Sequence, residues 1–278
     1  MKRILVVAGL LAVASAAQAQ SIGPPLQRNE AIAPAAEHVA DVLAKSTGTW
    51  ETTKMADGTV VKMWVVRPGA SAKTGTVLVI HENQGLNDWA RAVADQLGRQ
   101  GFIGIAVDLL SGKAPDGGGT AELGTGVGQA LRTVTAADVA ARLDAAAAWA
   151  RTLPMANGKY ATVGYCWGGG HSFNYAVAQP NVNAAVVYYG SSPGDLNTLA
   201  SIKAPVLGLY GGDDTRINAT LDATVAKMKE LGKSFTHHVY DGAGHGFLRQ
   251  QSGANGANLA ASEKAWPATL AFLREHLK

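Results

Sequence analysis

Cysteine is almost absent: Cys166 is the only one in 278 residues. An intrachain disulfide is therefore excluded, and stability has to come from an apolar core, for which 47% hydrophobic residues suffice. An excess of charge of either sign is lacking too, with 24 Lys and Arg against 21 Asp and Glu. That balance excludes the basic footprint of a nucleic-acid-binding chain and a polybasic membrane patch. No Cys/His cluster has metal-ligand spacing, and His237 and His238, being adjacent, point to opposite sides of a strand. No metal or organic cofactor is called for. There is no tandem repeat and no composition break that would mark a second folded domain.

Long apolar runs are missing as well. The run Ile4–Val13 follows a basic start, Met1-Lys2-Arg3, and is too short to span a bilayer. With Ala17-Gln18-Ala19 behind it, the pattern reads as a secretory signal peptide over residues 1–19, cleaved after about Ala19. The mature chain is then expected to be periplasmic or secreted and free of the membrane. Its basic residues fall from 24 to 22 against 21 acids, a net +1. In an oxidising compartment a lone thiol is inert and buried, an intermolecular link, or reactive.

What is present alternates. Residues 20–45 read as a leader or linker, loose over 20–34, with a short helix over 35–44. Two β-like runs flank Asp57-Gly58, a hairpin signal. From Thr76 onward, "TVLVIHE", "FIGIAVDLL", "YATVGYC", "NAAVVYYG", "PVLGLYGG" and "FTHHVYDG" are apolar strand runs. Helical spacings separate most of them, including a long Ala-rich helix with Thr135 as N-cap. The alternation predicts an α/β domain over residues 46–278, with a mostly parallel central sheet flanked by helices on both faces. The glycine-rich stretch from Ser111 to Gly128 predicts either a mobile lid or a disordered excursion.

In this frame Cys166 ends a central strand and precedes a helix. Gly164-Tyr165-Cys166-Trp167-Gly168 matches G-x-nucleophile-x-G, the nucleophile elbow, with Cys in place of Ser. The turn is sharp, so the positions two before and two after must avoid Cβ clashes. The helix start favours a thiolate and offers amides to an oxyanion, the Trp167 N–H first. An elbow enzyme then needs an acid and a His in that order. Asp213-Asp214 follows one strand and His245 follows the last. Asp214 is preferred over Asp213 because Ile217, three residues on, gives the spacing to a core-facing apolar side chain. Each partner alone has a plainer reading, as a turn, cap or surface loop residue. The order Cys166, Asp214, His245 is what sets the triad apart.

On "HENQGLNDW", "GYCWGGG", "GGDD" with Ile217, and "GAGHGF", the sequence resembles the dienelactone hydrolase family over roughly residues 50–278. The resemblance implies the α/β-hydrolase fold and a Cys nucleophile that cleaves an ester or lactone through a thioester. It implies a fourth participant, Glu82, which holds the thiol until substrate rearranges the pair. From the residues alone, Glu82 is either partnered or merely solvated at the strand end. The same loop is expected to supply a second oxyanion donor, the N–H of Asn83. The resemblance further implies that Arg249 binds a substrate carboxylate, a match of fork to carboxylate. Arg132 is the only Arg between Arg99 and Arg142, and no local motif places it. His81 either lines the pocket or ends its strand, and His171 reads as packing or surface. The expected partner is a small-molecule ester or lactone, with the chain a monomer or weak oligomer. The alternative from another class is a non-catalytic binding or thiol redox-sensing domain on the same fold, which would need neither Asp214 nor His245.

Overall fold

A computed structural model describes residues 32–69 and 72–278. The expected signal peptide and residues 20–31 of the leader lie outside the described residues. A short helix α1 (Val39–Leu43) precedes the hairpin of β1 (Thr49–Lys54) and β2 (Val60–Val66). Then follow β3 (Thr74–Ile80), α2 (Asp88–Arg99) and β4 (Ile103–Val107). Short helices α3 (Thr120–Leu123) and α4 (Val127–Leu131) lead to the long α5 (Ala136–Ala150). The chain continues through β5 (Ala156–Tyr165), α6 (Trp167–Ala178), β6 (Ala184–Tyr188) and β7 (Val206–Gly211). It ends with α7 (Thr215–Asn218), α8 (Leu221–Glu230), β8 (Phe235–Tyr240) and α9 (Ala257–Leu277). Among the described residues no helix is long and apolar enough to cross a membrane.

Eight described strands form one sheet in the order β1-β2-β4-β3-β5-β6-β7-β8. The pairs β1–β2 and β2–β4 are antiparallel and all others parallel. The continuous apolar runs are explained by burial on both faces. The strand period of two sends Val77 and Val79 to one core and Leu78 and Ile80 to the other. The first core is closed by α2 and α9 through Leu97, Trp266 and Leu273, the second by α5 and α6 through Leu143 and Phe173. Between β3 and β5 the strand order reverses direction. A crevice opens there, at the carboxyl ends of the strands. The register pairs Ile80 with Gly164, so Glu82 and Cys166 leave the sheet side by side.

Two segments differ from the sequence reading. The described part of the leader is docked: Trp89 Nε1 donates to the Pro34 carbonyl and Gln251 Nε2 to that of Ala33, each at 2.8 Å. Ala33 and Val39 join the first core. The glycine-rich stretch is not a structureless excursion. It carries α3 and α4, and buried Asp108 at the end of β4 ties it down. That carboxylate accepts from the Thr120 N–H (2.8 Å), the Thr120 hydroxyl (2.7 Å) and the Leu110 N–H (3.1 Å). Hydrogen bonds to a charged group each contribute about 1.5–3 kcal/mol. Asp108→Ala is therefore expected to lower stability by about 2 kcal/mol in denaturant titration and to speed amide exchange across residues 112–128.

Candidate active site

The elbow is built by backbone contact. Cys166 has φ 54° and ψ −115°, a left-handed conformation for a residue with a Cβ. Such a residue costs on the order of 1–3 kcal/mol and persists only where its surroundings hold it. Here the Cys166 N–H donates to the Tyr188 carbonyl at 3.1 Å, and its carbonyl accepts from the Gly170 N–H at 3.2 Å. The flanking glycines answer to space. A Cβ on Gly164 would lie 2.0 Å from the Gly168 carbonyl oxygen, and one on Gly168 would lie 2.4 Å from those of Ile80 and His81. The end of β3 is thus pressed onto the start of α6.

Three sequence-predicted residues are brought together at this turn. His245 Nε2 lies 3.0 Å from Cys166 Sγ, and His245 Nδ1 lies 2.5 Å from Asp214 Oδ2. Asp214 is buried and caps α7, its Oδ1 accepting from the Ile217 N–H at 3.4 Å while Oδ2 stays with the histidine. Ile217 is buried in a small apolar cluster, whereas Asp213 is exposed. The His245 loop is held by the Gly244 N–H on Asn258 Oδ1 (2.9 Å) and by the Asp213 N–H on the Ala243 carbonyl (3.0 Å). The His245 imidazole titrates at about 9, raised by its hydrogen bond to Cys166 and then by Asp214, against a partial loss of hydration. Trp167 opens α6, where first-turn amides have no intrahelical acceptor. Exposed Asn83 follows Glu82 on the loop pressed against that turn.

Glu82 and Arg249 are placed differently from what the resemblance implies. Glu82 does not hold the thiol. Its Oε2 accepts from Arg249 Nε at 2.7 Å and its Oε1 from the Tyr189 hydroxyl at 3.2 Å. The physical reason is burial: a carboxylate only 5% exposed needs a counter-charge, and Arg249 supplies it. Arg249 in turn is not free for a second carboxylate at Nε. Tyr189 is a site residue that sequence reasoning missed. Its one signal is position, at the carboxyl end of β6, and the structure adds a left-handed φ of 37°. Burial and the nearby Glu82 charge push its phenol well above the ordinary value. Its ring also meets that of His245 edge-on at 5.1 Å.

His81 and His171 are both packed against Trp167. His81 is fully buried, stacks on the indole at 5.4 Å with an interplanar angle of 8°, and burial lowers its pKa below the ordinary imidazole value. His171 lies 4.1 Å from the same indole, and burial takes it down to about 4. Arg132 is exposed just past the end of α4. A cavity of about 490 Å³ lies nearby, between Trp50, Leu86, Arg91, Asp108 and Thr120, but no triad residue lines it. Among the described residues no group of three or more His, Cys, Asp or Glu could hold a metal ion.

The raised His245 pKa sets the sign of a pH effect. A folded pKa above the ordinary 6.5 contributes stability that is fully present below 6.5 and lost as pH rises through about 9. Titration of His245 by NMR is expected to show a midpoint near 9 in the wild type. In Cys166→Ala the first cause is gone, so the midpoint moves down and the alkaline loss of stability shrinks.

Comparison with known proteins places these features. The family model described as "Dienelactone hydrolase family" matches residues 61–277. A carboxymethylenebutenolidase of Pseudomonas putida is 31% identical over 196 residues, covering 69% of this chain and 83% of its own. A Methylorubrum extorquens protein, provisionally named a carboxymethylenebutenolidase, is 33% identical over 204 residues, 69% of each chain. The solved dienelactone hydrolase from Anabaena variabilis superposes with a TM-score of 0.65 at 22% identity, over 84% of this chain and 99% of that one. A dienelactone hydrolase-like promiscuous phosphotriesterase from metagenomic libraries gives 0.68 at 23%, over 83% and 99%. At those identities the superpositions speak for the fold, which is that of the α/β-hydrolases. With the family model covering most of the sheet and the whole elbow, the chain belongs to the dienelactone hydrolase family and is a carboxylic ester or lactone hydrolase.

Proposed function

We propose that the chain hydrolyses a small ester or lactone by nucleophilic catalysis at Cys166. The Cys166 sulfur attacks the substrate carbonyl carbon, forming a C–S bond. With a pKa raised to about 9, His245 already carries the thiol's proton at neutral pH, and it delivers that proton to the leaving oxygen as the C–O bond breaks. In a lactone the leaving oxygen stays attached to the acyl chain. Water next attacks the thioester carbonyl, His245 takes its proton, and the C–S bond breaks to release the acid. Asp214 orients the imidazole and stabilises its protonated form. The amides of Trp167 and Asn83 receive the oxyanion in both steps. A free thiol is only a few per cent ionised at neutral pH, so the His245 contact supplies the activation.

The observation that carries this reading is the continuous chain from Cys166 Sγ through His245 to Asp214, with contacts of 3.0 and 2.5 Å at a strained elbow. A thiol sensor or simple binder has no use for an acid-oriented base. Arg249 is ion-paired with Glu82, and we read the rest of its guanidinium as the site for a substrate carboxylate, with Glu82 and Tyr189 setting its position. The leading sequence supports export, so the activity is proposed to reside in the periplasm or outside the cell after cleavage near Ala19.

The test is turnover of p-nitrophenyl acetate and of a small enol-lactone bearing a carboxylate. Cys166→Ala is expected to lower kcat at least ~10³-fold with both substrates, as loss of a nucleophile does. Arg249→Met is expected to raise KM for the charged lactone more than for the neutral ester. Unchanged turnover by Cys166→Ala would overturn the nucleophile. Rapid iodoacetamide labelling of Cys166 without turnover of either substrate would overturn the ester and lactone class.

A further inference from the structure

His81 is a buried polar side chain that the steps above do not use. Its contacts converge on the two peptide groups assigned to the oxyanion. His81 Nδ1 lies 2.8 Å from the carbonyl oxygen of Glu82. A carbonyl can only accept, so Nδ1 carries the hydrogen and Nε2 is a bare acceptor. The Glu82 carbonyl and the Asn83 N–H belong to one planar trans peptide, in which they point to opposite sides. Holding the carbonyl therefore aims the Asn83 N–H. A carbonyl that accepts a hydrogen bond also polarises its peptide and makes that N–H a stronger donor.

The other face of the argument is the ring. It lies flat against the Trp167 indole, 5.4 Å between centroids at 8°. His171 closes on the same indole at 4.1 Å. Trp167 thus packs against a buried and a half-buried imidazole, and Trp167 supplies the second amide. The His81 carbonyl itself is one of the two oxygens against which Gly168 is pressed. A plain packing role does not account for the residue. His81 Nε2 is buried with no hydrogen-bond partner among the described residues, a cost that an apolar ring of the same shape would avoid.

We propose that His81 is a positioning residue for acylation and deacylation: its Nδ1–H aims the Glu82–Asn83 peptide and its ring braces Trp167, so that both amides face the substrate carbonyl oxygen. The inference rests on the reading of Cys166 as nucleophile and of these two amides as the oxyanion donors.

The test separates a step that needs the oxyanion hole from one that does not. Acylation by p-nitrophenyl acetate is followed as the pre-steady-state burst, and alkylation of Cys166 by iodoacetamide as a rate of labelling. His81→Phe keeps a ring on Trp167 and loses the donor. His81→Asn keeps an N–H close to the place of Nδ1. Acylation is expected to fall about 100-fold in His81→Phe, the scale of one lost oxyanion donor, with alkylation unchanged. His81→Asn is expected to recover most of that loss. His81→Ala, which removes volume, gives the same readout if the Phe variant does not fold. Equal acylation in wild type and His81→Phe would overturn the proposal. So would a parallel fall in acylation and alkylation, which is the mark of a disturbed elbow. Cys166→Ala run beside them tells the two failures apart: if it still turns over ester, the nucleophile reading has failed and not merely the role of His81.

Discussion

The close approach of the end of β3 to the first turn of α6 is the constraint on which the rest of the site depends. The carbonyls of Ile80 and His81 sit where a Cβ on Gly168 would be, so the two strand ends leave the sheet in backbone contact. That contact puts Cys166 in a left-handed conformation. It sets the Glu82–Asn83 peptide beside the Trp167 amide, and it places both at the crevice where the strand order reverses. No side chain can substitute for it, because the partners are backbone atoms that cannot move without displacing β3.

Around that contact the polar groups sort by burial. Glu82 is too deeply buried to stand alone and is held by Arg249 and Tyr189. Asp214 is equally buried and is shared between the start of α7 and His245. The result is two separate electrostatic units at one sheet edge. In the first, the Cys166 sulfur and then the Asp214 carboxylate raise the pKa of the imidazole between them. In the second, a carboxylate fixes a guanidinium near the same crevice. With Glu82 kept by Arg249, His245 is the thiol's one hydrogen-bond partner among the described residues.

Much of this was legible in the sequence, for identifiable reasons. The apolar runs of β3 to β7 have one physical explanation, burial on both faces, and the elbow glycines have one steric explanation. The order Cys166, Asp214, His245 follows because each lies just past a strand of a parallel sheet, and parallel strands end at one edge. What was not legible depended on contacts far apart in the chain. Glu82 and Arg249 are 167 residues apart, and nothing local to either says that they meet. The stretch from Ser111 to Gly128 reads as either a mobile lid or a disordered excursion because its anchor, Asp108, lies outside it and acts through Thr120. Tyr189 gave no local sign of its hydrogen bond to Glu82. His81 offered only adjacency to Glu82, and its meaning comes from a stack on a residue 86 positions away.

The central claim is that an acyl group passes through the sulfur of Cys166. The most direct measurement is mass spectrometry of the protein quenched in acid milliseconds after mixing with an activated ester, followed by peptide mapping. The account predicts one added acyl mass on the peptide that contains Cys166, removable by hydroxylamine and decaying at the rate of turnover. Turnover with no acyl group on that peptide, or with the acyl group on another residue, would contradict it.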